Sequence, residues 1–68
     1  MTDGTYKCID LVGTSSKSIE DAIAGAVARA SQTVREIRWF ELKETRGRVE
    51  QGAVAEYQVV LRVGFKLE

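Results

Sequence analysis

Two periods of apolar residues divide this chain. Ile19, Ala22, Ile23, Ala26, Val27 and Ala30 recur at the spacing of one helical stripe. Ser18 stands ahead of them as an N-cap, and Asp21 offers a weak capping box. Elsewhere the period is two. Tyr6 to Val12 reads as a first strand, mixed on both faces and ended by Gly13 and a Thr/Ser cluster. Val34 to Val49 reads as a second strand and Ala53 to Leu67 as a third, joined through Gln51-Gly52. On the third, Tyr57, Val59, Leu61, Val63, Phe65 and Leu67 share the face under the helix. Gln58, Val60, Arg62, Gly64 and Lys66 share the other. The predicted fold class is α+β: a β-α-β-β chain whose three-stranded antiparallel sheet carries one helix on one face.

The alternation fails at one place. In Ile37-Arg38-Trp39-Phe40-Glu41-Leu42, Phe40 and Leu42 point to one face, while Trp39 points to the other with Glu41 and Lys43. The only tryptophan thus stands among charges. Such a ring is surface, a subunit contact, or a platform on which something flat stacks. A turn at Gln51-Gly52 sets Trp39 opposite Gly64, Phe40 opposite Val63, Glu41 opposite Arg62 as an ion pair, and Leu42 opposite Leu61. The same register sets Gln58 opposite Thr45, with a bulge expected at Gly47.

Length adds a constraint. A second strand of sixteen residues spans roughly 50 Å at about 3.3 Å per residue. A compact chain of this size has a radius of gyration of about 11 Å. The hairpin therefore overruns its own protomer, and much of it is expected to contact other chains.

Composition narrows the rest. Sixty-eight residues make one domain, 1–68, with a thin core. One cysteine and no histidine exclude an internal disulfide and a Cys/His zinc site. Ten basic and ten acidic residues cancel, so no net field draws in nucleic acid or an anionic membrane. Met1–Thr5 is too short and polar for a signal peptide, and no apolar run is long enough to span a bilayer. The expectation is a cytoplasmic protein, with oligomerisation as its remaining stabilising device.

Candidate chemistry is sparse. Gly13-Thr14-Ser15-Ser16-Lys17-Ser18 lacks the glycines of a phosphate-binding loop and reads as a strand-to-helix turn. Cys8 has no histidine to activate it and reads as a small buried hydrophobe. Glu41, Glu44, Glu50 and Glu56 read as surface. Single-stranded nucleic acid could stack on the sheet, but the face carries one ring and no ribonucleoprotein signature. Trp39 and Gln58 remain. An indole can stack a planar ring, and an amide can pair with a heteroaromatic edge.

The stretches Leu11-Val12-Gly13-Thr14-Ser15, Arg38-Trp39-Phe40-Glu41, Glu44-Thr45-Arg46-Gly47, Tyr57-Gln58-Val59 and Val63-Gly64-Phe65-Lys66-Leu67-Glu68 carry a resemblance to the dodecins, from Tyr6 to Glu68. These are small flavin-binding proteins, and the Trp-Phe pair and Arg46 resemble the bacterial type. The resemblance implies a hollow homododecamer that stores FMN or riboflavin in stacked pairs between tryptophans and quenches their photochemistry. It places ring stacking on Trp39, the pyrimidine-edge hydrogen bond on Gln58 and the ribityl contact on Glu44. It places the phosphate end on Arg46 and Lys66. Lys66 stands where relatives often have arginine, and lysine lacks the planar fork, so its phosphate contact is less directional. Some bacterial relatives also bind coenzyme A.

The register adds a condition. Gln58 lies opposite Thr45, six residues from Trp39, or about 20 Å along the strand. One ring cannot touch both in one chain, so a twofold partner is expected to supply the glutamine. A flavoenzyme is disfavoured, since paired rings leave no room for substrate and no acid–base residue stands out.

Overall fold

The stripe beginning at Ile19 forms a helix because its first turn is capped from two sides. The computed structural model describes residues 3–67. In it Ser18 Oγ accepts the Asp21 N–H at 2.9 Å, satisfying one orphan donor of the first turn. The Asp21 carboxylate does not close a capping box. It accepts instead from Ser15 Oγ at 2.7 Å, while that hydroxyl accepts the N–H groups of Lys17 and Ser18 at 2.9 and 3.3 Å. Ser15 is buried by this arrangement. It belongs to the first strand, so the serine ties strand to helix.

The elements run β1 (Tyr6–Ser15), α1 (Ile19–Ala30), β2 (Ile37–Glu50) and β3 (Ala53–Lys66). The sheet order is β1-β3-β2, antiparallel throughout. The expected α+β architecture is the observed one. Two boundaries differ from the sequence reading. β1 continues through Gly13-Thr14-Ser15, because these residues pair with Val59, Gln58 and Tyr57. β2 starts at Ile37 rather than Val34. The Val34 N–H is bonded to the Ala30 carbonyl at 2.8 Å, and Glu36 sits at a φ of 62°, which breaks the extended run.

The helix lies over β1 and β3. Ala22, Val59 and Leu61 form the centre of the core, with Ile19, Ile23, Ala26 and Val27 packed around them. Gly13 permits this closeness: a Cβ there would stand 2.6 Å from the Ala22 carbonyl oxygen and 2.8 Å from the Ala26 Cβ. Phe40 and Leu42 point to the helix side of the sheet yet stay exposed, and Phe40 faces an open apolar groove along α1 lined by Ile23, Ala24, Val27 and Ala28. The outline is correspondingly long, 55 × 20 × 15 Å, with a radius of gyration of 14.2 Å. That exceeds the roughly 11 Å of a compact chain this long. The hairpin does not fold back on itself.

The hairpin register is as expected from Trp39 to Leu42: Trp39 pairs with Gly64, Phe40 with Val63, Glu41 with Arg62 and Leu42 with Leu61. It then shifts at Lys43, which bulges out between Leu42 and Glu44. A second shift nearer the turn, between Arg48 and Val49, leaves Ala55 without a partner, and the stretch between the two shifts is displaced by one residue. The expected pairing of Gln58 with Thr45 is corrected by this displacement. Gln58 faces Arg46, and Thr45 faces Val59. The bulge expected at Gly47 falls just beyond it, between Arg48 and Val49, and Gly47 itself stays in the ladder. It pairs with Tyr57, and a Cβ on it would lie 2.6 Å from the Glu56 carbonyl oxygen, so close backbone approach is its role.

Candidate functional site

The sheet face away from the helix carries three rows of interest. The first is Cys8, Gly64 and Trp39, neighbours across the three strands. The indole lies over Gly64, where a Cβ would overlap its six-membered ring. Tyr6 meets it edge-on, with centroids 5.3 Å apart and planes at 62°. Trp39 still leaves 41% of its surface exposed. One ring face is thus seated and edge-braced while the other is open to a planar partner. Cys8, expected to be buried, is exposed, because its position in the register turns it from the helix.

The second row is Asp10, Arg62 and Glu41. The Glu41–Arg62 ion pair expected from the hairpin register does not form. Arg62 Nε donates to Asp10 Oδ1 at 3.0 Å, across the other ladder. That hydrogen bond holds the Asp10 carboxyl below its ordinary range and raises Arg62, with Glu41 adding only a weaker attraction to the arginine.

The third row is Thr14, Gln58 and Arg46. Arg46 Nε donates to Gln58 Oε1 at 3.0 Å, and its Nη1 donates to Glu44 Oε1 at 3.1 Å. Gln58 Nε2 in turn donates to Glu56 Oε1 at 3.1 Å. Arg48 approaches that carboxylate at 3.9 Å and pairs with Glu50. The register slip between Arg48 and Val49 makes the cluster possible, since without it Gln58 would pair with Thr45 and Arg46 would face the opposite side; the Lys43 bulge then restores the register at Trp39.

Glu44, Arg46 and Gln58 are therefore brought together within one chain. Trp39 is not with them. Gly64, which carries the indole, lies six residues along β3 from Gln58, a separation of about 20 Å. Lys66 lies at the tryptophan end, paired with Tyr6, and does not meet Arg46. Each protomer holds an aromatic half and a polar half, and no single tricyclic ring reaches both. Tyr6 and Glu56 were missed as participants. Glu56 carried a signal, since residues two apart on a strand share a face. Tyr6 carried none, because no tight turn sets the β1–β3 register.

The two halves offer an open indole face for a flat ring and an amide, set between a guanidinium and a carboxylate, for a polar edge. Among the described residues no group of three or more His, Cys, Asp or Glu converges to hold a metal ion. No helix among them is long and apolar enough to cross a membrane.

Fold and site define a small α+β protein with a seated aromatic platform on the uncovered side of a long antiparallel hairpin. The chain belongs to the dodecin family, whose family model matches residues 5–68. It is 56% identical over 63 residues to the dodecin of Thermus thermophilus, covering 93% of this chain and 91% of that protein. It is 40% identical over 62 residues to the calcium dodecin of Mycobacterium tuberculosis, covering 91% and 87%. The solved structure of the Streptomyces coelicolor dodecin matches it with a TM-score of 0.94 at 47% identity, over 100% of this chain and 97% of that one.

Proposed function

We propose that this protein binds FMN or riboflavin without turning it over, and stores it in a dark state. The observation that carries the reading is Trp39 seated on Gly64 and braced by Tyr6 with its outer face open. An ordered indole presents a stacking surface at little entropic cost. When bound, a flavin supplies a light-absorbing, electron-accepting ring. Trp39, in van der Waals contact with that ring, is the donor that returns the excited state to ground. Storage and photoprotection are then one mechanism.

The polar half sets the geometry. Gln58 offers its amide to the pyrimidine edge, Glu44 faces the ribityl chain, and Arg46 with Lys66 serves the phosphate end. Since Trp39 and Gln58 lie about 20 Å apart along the strand, the protomer assembles with others, and Gln58 of the partner subunit completes the site on Trp39. The exposed apolar side chains Phe40, Leu42, Val49 and Val54 on the long hairpin support burial by neighbouring copies. The family resemblance supports a hollow shell of twelve, working in the cytoplasm. Coenzyme A is a second ligand class for the Arg46 end. Calcium, which names one relative, is not part of the proposal.

The test is the mass of the chromophore extracted from native protein, with sedimentation of the same sample. A flavin in a particle much larger than 7.5 kDa supports the proposal. A colourless folded monomer that binds single-stranded nucleic acid contradicts it.

A further inference from the structure

We infer that Glu56 is a positioning residue: it fixes which end of the Gln58 amide faces the ligand. The inference rests on the flavin reading above and deepens it. A glutamine amide carries a donor at one end and an acceptor at the other, and a half-turn of its last torsion exchanges them. For a ligand read by its edge, that exchange reverses the pattern it meets. Here two charged neighbours decide the question. The Arg46 guanidinium only donates, and it meets Oε1 at 3.0 Å. The Glu56 carboxylate only accepts, and it meets Nε2 at 3.1 Å. The flipped amide would set donor against donor and oxygen against oxygen, so chemistry selects one orientation.

Glu56 is itself held in place. It shares the sheet face of Gln58, two positions along β3, and stands opposite Arg48, whose Nε lies 3.9 Å from the same carboxylate oxygen. The amide thus uses one N–H and one lone pair on its neighbours. One N–H and one lone pair remain. That remainder complements an imide edge, where a ring N–H stands beside a carbonyl. Arg46 and Glu56 together make Gln58 a reader of imide edges. Glu56 contributes by removing the rotamer freedom that the amide would otherwise lose on binding.

The test is a titration of assembled protein with riboflavin and with N3-methylriboflavin, whose imide N–H is blocked. The variants are Gln58→Ala, Glu56→Ala, Glu56→Gln and the double alanine variant. Glu56→Ala is expected to weaken riboflavin roughly two- to twelvefold, the value of one pre-ordered side chain. It should change N3-methylriboflavin little, and add nothing in the Gln58→Ala background. Glu56→Gln, whose carbonyl still accepts from Nε2, should stay close to the parent. A ligand-free crystal structure of Glu56→Ala should show the Gln58 side chain in more than one conformer. Equal losses for both flavins, or a Glu56→Ala loss that persists in the double variant, would make Glu56 merely structural and overturn the inference. So would weakening by Gln58→Ala alone. If Gln58→Ala leaves riboflavin affinity unchanged, the assignment of Gln58 falls, and the inference with it.

Discussion

Trp39 lies across Gly64 of the adjacent strand, in space that any side chain at residue 64 would fill. The relationship joins packing to function. A glycine in the interior of β3 gives up side-chain packing, and what it gains is a seat for the chain's one large aromatic platform. Tyr6, reaching in from β1, fixes the ring's edge. All three strands therefore contribute to holding one indole open to solvent.

Gly64→Ala tests that seat. The added methyl displaces the indole and loosens its contact with Tyr6, while the core under the helix stays intact. Overpacking of this kind costs about 1–3 kcal/mol. Tryptophan emission should shift, and riboflavin affinity and quenching should both fall. Unchanged emission and affinity would mean that the ring does not depend on Gly64.

Gly13→Ala tests the opposite face. Its Cβ would meet the Ala22 carbonyl oxygen and the Ala26 Cβ, both on α1. The helix must then lift from the sheet, at roughly 1–3 kcal/mol. Urea unfolding at fixed protein concentration should register the loss, with tryptophan emission of the folded state unaltered.

Acid sensitivity follows from Asp10. The Arg62 hydrogen bond lowers its folded pKa below the ordinary 3.8. A lowered carboxyl contributes stability that is complete above its ordinary value and is lost as pH falls through the folded one. Asp10→Asn should therefore flatten the acid limb of the stability profile below about pH 4 and change neutral stability little, since the pair is exposed. An unchanged acid limb would show that the pair is not kept in solution.

Most of the fold was legible because its signals are local. The stripe from Ile19 to Ala30 and the alternation from Tyr57 to Phe65 each name their buried face, and Gln51-Gly52 sets the hairpin register near Trp39. The bulge at Lys43 left no comparable mark, since neither glycine nor a break in alternation flags it. Nor did Ala55, unpaired where the register slips between Arg48 and Val49, and that slip moved Gln58 from Thr45 to Arg46 and created the polar cluster. The choice of Arg62 for Asp10 over Glu41 was also hidden, because it depends on β1, whose register comes from tertiary packing alone. The candidate site was legible as residue types and as two distant halves. Its bracing by Tyr6 and Glu56 was not.

Riboflavin titration of the assembled parent and of Trp39→Ala, followed by flavin fluorescence, tests the central claim most directly. Loss of an aromatic stack offers a guide of about 1–3 kcal/mol, or roughly five- to 150-fold in dissociation constant. The parent should bind and darken the flavin. Trp39→Ala should bind it more weakly within that range and leave what remains bound bright, because the electron donor is gone. An assembly that falls apart on Trp39→Ala, while flavin in the residual oligomer still binds and stays dark, would make the indole an interface anchor and contradict the account.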